Sequence, residues 1–156
     1  MAFLKKWAPR SYRPLQLRIP EPAPGTGQAH DRDAADLVRE LPRVDLAYLD
    51  PPYNQHRYLN NYHVWETLAR GDAPEHYGIA CKRIDARDPE RKSRWNSRRT
   101  MPPEFGRVLE TVAADVVVVS FSNEGFVPLP ALVEMCSVRG AVEVLDYAFD
   151  RYVGAR

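Results

Sequence analysis

The chain has 156 residues, 44% of them apolar, with a net charge of +1. That length holds one hydrophobic core, and the composition is that of a soluble globular protein with no overall charge bias toward nucleic acid. No apolar run approaches a membrane span. The first ten residues carry Lys5, Lys6 and Arg10 without an apolar stretch, which excludes a secretory signal. Cys81 and Cys136 stand far apart with no metal-like spacing, so no metal site is expected, and two lone thiols favour a reducing cytoplasm.

Residues 1–30 form a proline-rich, extended lead-in, and residues 31–156 read as one catalytic portion. Leu15, Leu17 and Ile19 alternate, as in a short edge strand. Gly25-Thr26-Gly27 reads as a turn, because a nucleotide-binding loop needs a strand before it and a helix directly after it. Asp33 suits an N-cap, and Leu37 and Leu41 share one face of a short helix over 33–41, ended by Pro42. Val44, Leu46, Ala47, Tyr48 and Leu49 make a short apolar run, too short for a helix, which reads as a buried strand. Asp50 ends that strand. Pro51 and Pro52 cannot donate to a ladder and fix φ, so the chain leaves the sheet in one stiff conformation, followed by Tyr53.

Residues 54–63 are polar and aromatic without a period, a loop that is either solvated or substrate-facing. Val64, Trp65 and Leu68 mark a short helix ending near Gly71. Residues 82–99 carry eight basic and three acidic side chains around Trp95 and Asn96. Such a run is either a solvated face or a contact with phosphates and bases. Pro102-Pro103-Glu104 opens a helix to about 114, with Phe105, Val108, Leu109 and Val112 on its apolar face. Residues 116–121 are rich in β-branched side chains, as in a parallel strand covered on both faces. A loop at 122–125, a helix over 129–138 and a third strand over 141–149 complete an α/β order.

An acid at the carboxyl end of a buried strand, on a rigid turn, lies where open α/β sheets bind ligands. The alternative is an ordinary strand stop with a capping Asp. The chemistry that fits Asp50-Pro51-Pro52-Tyr53 is activation of an exocyclic amine. A carboxylate and the aimed carbonyl of Pro51 each accept one N–H bond and so draw electron density onto the nitrogen. Tyr53 offers a flat surface for stacking a base, which must be flipped out of a duplex to be reached.

The stretches 44–55 and 57–68 resemble the adenine-N6 DNA methyltransferases, in particular the Dam-like group. The resemblance covers most of the chain. It implies a Rossmann-like, mostly parallel sheet with flanking helices, S-adenosylmethionine as cofactor, and catalytic roles for Asp50, Pro51, Pro52 and Tyr53. It implies cofactor contacts at Asp33 and Asp50. Duplex DNA is the implied partner, with contacts at Asn54, Arg57, Tyr58, Lys82, Arg83, Arg91, Lys92, Arg94, Trp95, Arg98 and Arg99. Asp at the first motif position points to adenine N6. The family's Phe-x-Gly-x-Gly cofactor loop is not found, and only about three sheet strands are readable where the full fold has seven. The expectation is therefore a catalytic part without most of the cofactor-binding half, completed by that half or by self-association. The competing expectations are a non-catalytic DNA-binding remnant or subunit, and an amino-methyltransferase acting on RNA or protein.

Overall fold

The computed structural model describes Tyr12, Pro14 and residues 19–148. In chain order the elements are α1 (Ala34–Leu37), β1 (Val44–Leu49), α2 (Tyr58–Asn61), α3 (His63–Arg70), β2 (His76–Tyr77), β3 (Lys82–Arg83), α4 (Met101–Thr111), β4 (Ala114–Val119) and α5 (Leu129–Cys136). Short 3-10 turns occupy Ile84–Arg87, Pro89–Arg91, Arg94–Asn96 and Ser137–Arg139. These elements fall into two compact units. One takes its described residues from 12–32 and 56–92, the other from 33–55 and 93–148. Of the predicted edge strand, Leu15 and Leu17 lie outside the described residues, and Ile19 is in no strand.

The second unit is a mixed α/β layer. β1 and β4 pair in parallel, with Leu46 opposite Val116, Tyr48 opposite Val118 and Leu49 opposite Val119. Ala47, Leu49, Val117 and Val119 point to the face that packs on the core. That core is built mainly on α4. Met101, Phe105, Val108, Leu109 and Val112 recur at helical spacing along one side, and Met101, Phe105 and Leu109 are fully buried. Each such side chain stabilises the fold by roughly 1.5–3 kcal/mol relative to an exposed one. Pro102 sits in the first helical turn, where a missing N–H costs nothing. Ala35, Val38, Trp95, Val127 and Leu132 close the cluster.

The opposite sheet face differs from the two-sided burial that its β-branched residues predict. Val44, Leu46, Tyr48, Val116 and Val118 are all exposed among the described residues. Strand composition reports the demand for cover, whereas cover itself depends on which layers are present. At the amino ends of the strands Arg43 and Asp115 form an ion pair.

Several element boundaries depart from the sequence reading. α1 is one turn long and gives way to i to i+3 bonds, Arg39 N–H to the Asp36 carbonyl and Glu40 N–H to the Leu37 carbonyl. α4 stops at Thr111, since Val112 is already extended. β4 starts at Ala114, two residues before the predicted strand, because the ladder begins where the Val44 N–H reaches the Ala113 carbonyl. The predicted strand over 141–149 is corrected: residues 141–148 join no ladder, and Phe149 lies outside the described residues. The alternation of Val142 and Val144 is real, but those side chains line a cavity of about 610 Å³ together with Val116, Val117, Leu132 and Val133. Residues 141–148 are all exposed and Ala141 through Leu145 all line that cavity, so the alternation in sequence has no counterpart in two distinct faces.

The first unit is held by a buried cation. Arg83, on β3, is 3% exposed. Its guanidinium donates to both carboxylate oxygens of Asp72 at 2.6 and 2.7 Å, to Asp85 at 3.0 Å and to the Thr67 hydroxyl at 3.1 Å. These contacts tie α3, the turn after it and the β2–β3 hairpin together. The Arg83 hydrogen bonds hold the carboxyls of Asp72 and Asp85 below the usual carboxylate range, and the two carboxylates push the guanidinium pKa up.

Candidate active site

β1 and β4 run parallel, so their carboxyl ends emerge side by side. The last bond across them joins the Ser120 N–H to the Leu49 carbonyl at 2.9 Å. Asp50 follows at once and is exposed, whereas Pro51 is buried and Pro52 and Tyr53 are half-buried. The prolines thus sit against the protein while the carboxylate faces outward. Among the described residues nothing pairs with that carboxylate, which leaves its oxygens available to accept N–H bonds from a ligand.

The turn is held on three sides. The Tyr53 ring lies 6.0 Å from Phe121 at an interplanar angle of 59°, and Phe121 stacks on buried Phe105 at 6.4 Å. The Tyr53 carbonyl accepts the Phe126 N–H at 2.7 Å. The Asn54 carbonyl accepts the Asn96 side-chain amide at 3.0 Å. Gly125 completes the arrangement, since a Cβ there would overlap the Phe121 ring. Proline-locked backbone with anchored carbonyls keeps the Asp50 carboxylate and its neighbouring carbonyl oriented before any ligand arrives.

Asp50, Pro51, Pro52, Tyr53 and Asn54 are therefore brought together at one sheet end. Asp33 is placed otherwise: its carboxylate accepts the Ala35 N–H at 2.9 Å and caps α1. The basic segment divides between the two units. In the first, Lys82 is half-buried, Arg83 is buried in its ion cluster, Arg91 pairs with Asp85 at 3.2 Å, and Lys92 is exposed. Arg57 donates to the Arg91 carbonyl at 3.2 Å, and Tyr58 stacks on Tyr62 with centroids 5.8 Å apart. In the second, Arg94 pairs with the buried carboxylate of Glu104 at 3.1 Å. Arg99 is exposed, and the exposed Arg98 lies with its guanidinium 5.3 Å from the Phe126 ring centre. Trp95 is 8% exposed and meets Phe105 edge-on at 6.4 Å, so its ring faces the core. Its place in a run of arginines masked that role.

Phe121 and Phe126 are residues around the turn that the sequence did not single out, and Asn96, noted in the basic run, was given no role there. Phe121 had a signal, as the residue just after a β-branched strand at its carboxyl end. Asn96 had none, because its partner is a main-chain carbonyl 42 positions away. Among the described residues no cluster of His, Cys, Asp and Glu is arranged to hold a metal, and no helix is long and apolar enough to cross a membrane.

The chain is 32% identical to modification methylase LlaI of Lactococcus lactis subsp. lactis, over 97% of this chain and 25% of that protein. It is 32% identical to type II methyltransferase M.FokI of Planomicrobium okeanokoites, over 80% of this chain and 19% of that protein. With type II methyltransferase M.NlaIII of Neisseria lactamica it shares 26%, over 97% of this chain and 44% of that protein. The chain thus spans less than half the length of each of these relatives. No solved structure gives a significant match. Residues 1–112, which include the whole Asp50-Pro51-Pro52-Tyr53 turn, match the family described as D12 class N6 adenine-specific DNA methyltransferase, and the chain belongs to that family.

Proposed function

We propose that residues 31–156 are the amine-activating part of an S-adenosylmethionine-dependent enzyme that methylates N6 of an adenine flipped out of duplex DNA. The observation that carries this reading is the outward, unpaired Asp50 carboxylate on a proline-locked turn at the carboxyl end of a parallel strand. The Asp50 carboxylate and the Pro51 carbonyl each accept one N–H of the adenine amino group. The nitrogen lone pair is then left pointing away from both acceptors. Tyr53, braced by Phe121, stacks on the base. Exposed Lys92, Arg98 and Arg99 supply phosphate contacts.

S-adenosylmethionine supplies the electrophilic methyl group when bound. The described residues do not fit it. Gly25 and Gly27 have open space around them and no strand before them, and the Asp33 carboxylate is occupied by its cap. The chain's own residues therefore serve the acceptor side of the reaction. A cofactor-holding segment is the partner this reading calls for, and the bare sheet face of Val44, Leu46, Tyr48, Val116 and Val118 is an apolar surface for added structure to cover.

The test, run with a cofactor-holding segment of a family member added, is incorporation of labelled methyl groups from S-adenosylmethionine into duplex DNA, RNA and peptide in parallel, with hydrolysates checked for N6-methyladenine. Asp50→Ala is expected to lower the rate on the order of 10²-fold or more while DNA affinity holds, since the contact strengthens in the transition state. Near-full activity in Asp50→Ala would remove the carboxylate from the mechanism. Label appearing in RNA or peptide alone would replace the substrate.

A further inference from the structure

We propose that Asn96 is a positioning residue for the loop that carries Asp50, an assignment that rests on the amine-methylation reading above. The loop of residues 50–54 leaves the sheet after the Ser120 N–H to Leu49 carbonyl bond. Pro51 and Pro52 stiffen it but have no N–H with which to hold it down. Two main-chain carbonyls downstream do hold it. That of Tyr53 is fixed by the Phe126 N–H at 2.7 Å, and that of Asn54 by the Asn96 amide at 3.0 Å. The first anchor is main chain and is insensitive to side-chain identity. The second depends on one side chain.

Asn96 is itself firmly placed. It ends the 3-10 turn Arg94–Asn96, whose N-cap Ser93 accepts the Trp95 N–H at 3.2 Å. Its neighbour Trp95 is sunk against Phe105, and the Thr100 hydroxyl donates to the Arg94 carbonyl at 2.6 Å. The amide thus projects from a turn nailed to the core on one side and grips the active loop on the other. It ties that loop to the segment that continues to Arg98 and Arg99. Loss of a few tenths of an ångström of placement at such a loop lowers rate without altering the groups that touch the substrate.

The experiment uses the full chain with Asn96→Asp, which keeps the shape and replaces the donor by an acceptor, and Asn96→Ser as a milder removal of the same bond. Backbone hydrogen exchange at residues 53–55 is expected to accelerate by about tenfold, with Leu109 and Val117 unchanged. Methyl transfer to duplex DNA is expected to lose about tenfold in kcat, with KM for DNA within about twofold of wild type and the thermal midpoint unmoved. Unchanged exchange at residues 53–55 in both variants overturns the brace. Accelerated exchange with unchanged kcat, or a loss confined to KM, overturns the positioning role. Methyl transfer absent from the wild-type chain even with a cofactor-holding segment of a family member added defeats the proposed reaction, and the exchange data still decide the brace on their own.

Discussion

Replacing Trp95 by Ala separates a core role from a base-contacting one. The indole is 8% exposed and lies T-shaped to Phe105, which is itself 1% exposed and stacks on Phe121. A tryptophan buries roughly 150–250 Å², about 4–6 kcal/mol at 25 cal/mol per Å². Measured truncations of buried aromatics fall at about 3–5 kcal/mol, and that is the expected loss. A domain of this size has about 5–15 kcal/mol in all, so the expected loss is a large share of the total. Urea unfolding followed by far-ultraviolet circular dichroism measures the loss without relying on indole fluorescence. DNA affinity is read by anisotropy and corrected to the folded fraction, and is expected to stay within about threefold of wild type. A variant that loses less than about 1 kcal/mol of stability but more than tenfold in DNA affinity would refute this. That pattern would match a stacked base, worth about 1–3 kcal/mol.

Replacing Lys92, Arg98 and Arg99 by Ala is expected to flatten the slope of log affinity against log salt by about 0.9 for each phosphate that is no longer neutralised. Arg83→Ala is expected to leave that slope alone, because its guanidinium is consumed inside the protein. An unchanged slope in the triple variant would return these residues to a solvated face. Asp72 and Asp85 have depressed carboxyl pKa values, chiefly through hydrogen bonds from Arg83, so the stability they lend is complete above the ordinary carboxylate value. It is lost as pH falls through their lowered values, so the β2–β3 hairpin should loosen only below about pH 4. The Ile84 amide, bonded to the Glu75 carbonyl at 2.8 Å, is a suitable nuclear magnetic resonance reporter, and a transition near neutrality would contradict the assignment. Gly125→Ala forces the Phe121 ring aside. It is expected to cost about 1–3 kcal/mol and to slow methyl transfer through Tyr53, and unaltered stability would show that the loop yields freely.

The parts of the fold legible in the sequence were those with strong local signatures. The apolar run 44–49 ended by Pro51 and Pro52 announces both a strand and its exit. α4 announces itself by Pro102 and by the spacing of Phe105, Val108, Leu109 and Val112. Asp50 was legible as an exposed acid at the exit of a strand because strand end, acid and prolines coincide. α2 was not, since Tyr58-Leu59-Asn60-Asn61 has no period and is one turn long. The division of the basic run was also hidden. Net charge cannot tell Arg83, neutralised by two carboxylates, from Arg99, which is exposed. The bare sheet face was misread because composition records what a strand needs and not what surrounds it.

The parallel pairing of β1 with β4 also sets an order of events in folding. Val44 faces Ala114, so the two partners are separated by some seventy residues of chain. Such a closure forfeits entropy before any contact rewards it, and topologies dominated by distant pairings fold slowly. The contacts within α4 are local in sequence, whereas the turn bearing Asp50 lacks its anchors at Tyr53 until β4, Phe121 and Phe126 arrive. During synthesis, at about 5–20 residues per second, the nascent strand 44–49 waits several seconds with its apolar side chains unpartnered. The acid is therefore made some seventy residues before the strand that completes its surroundings.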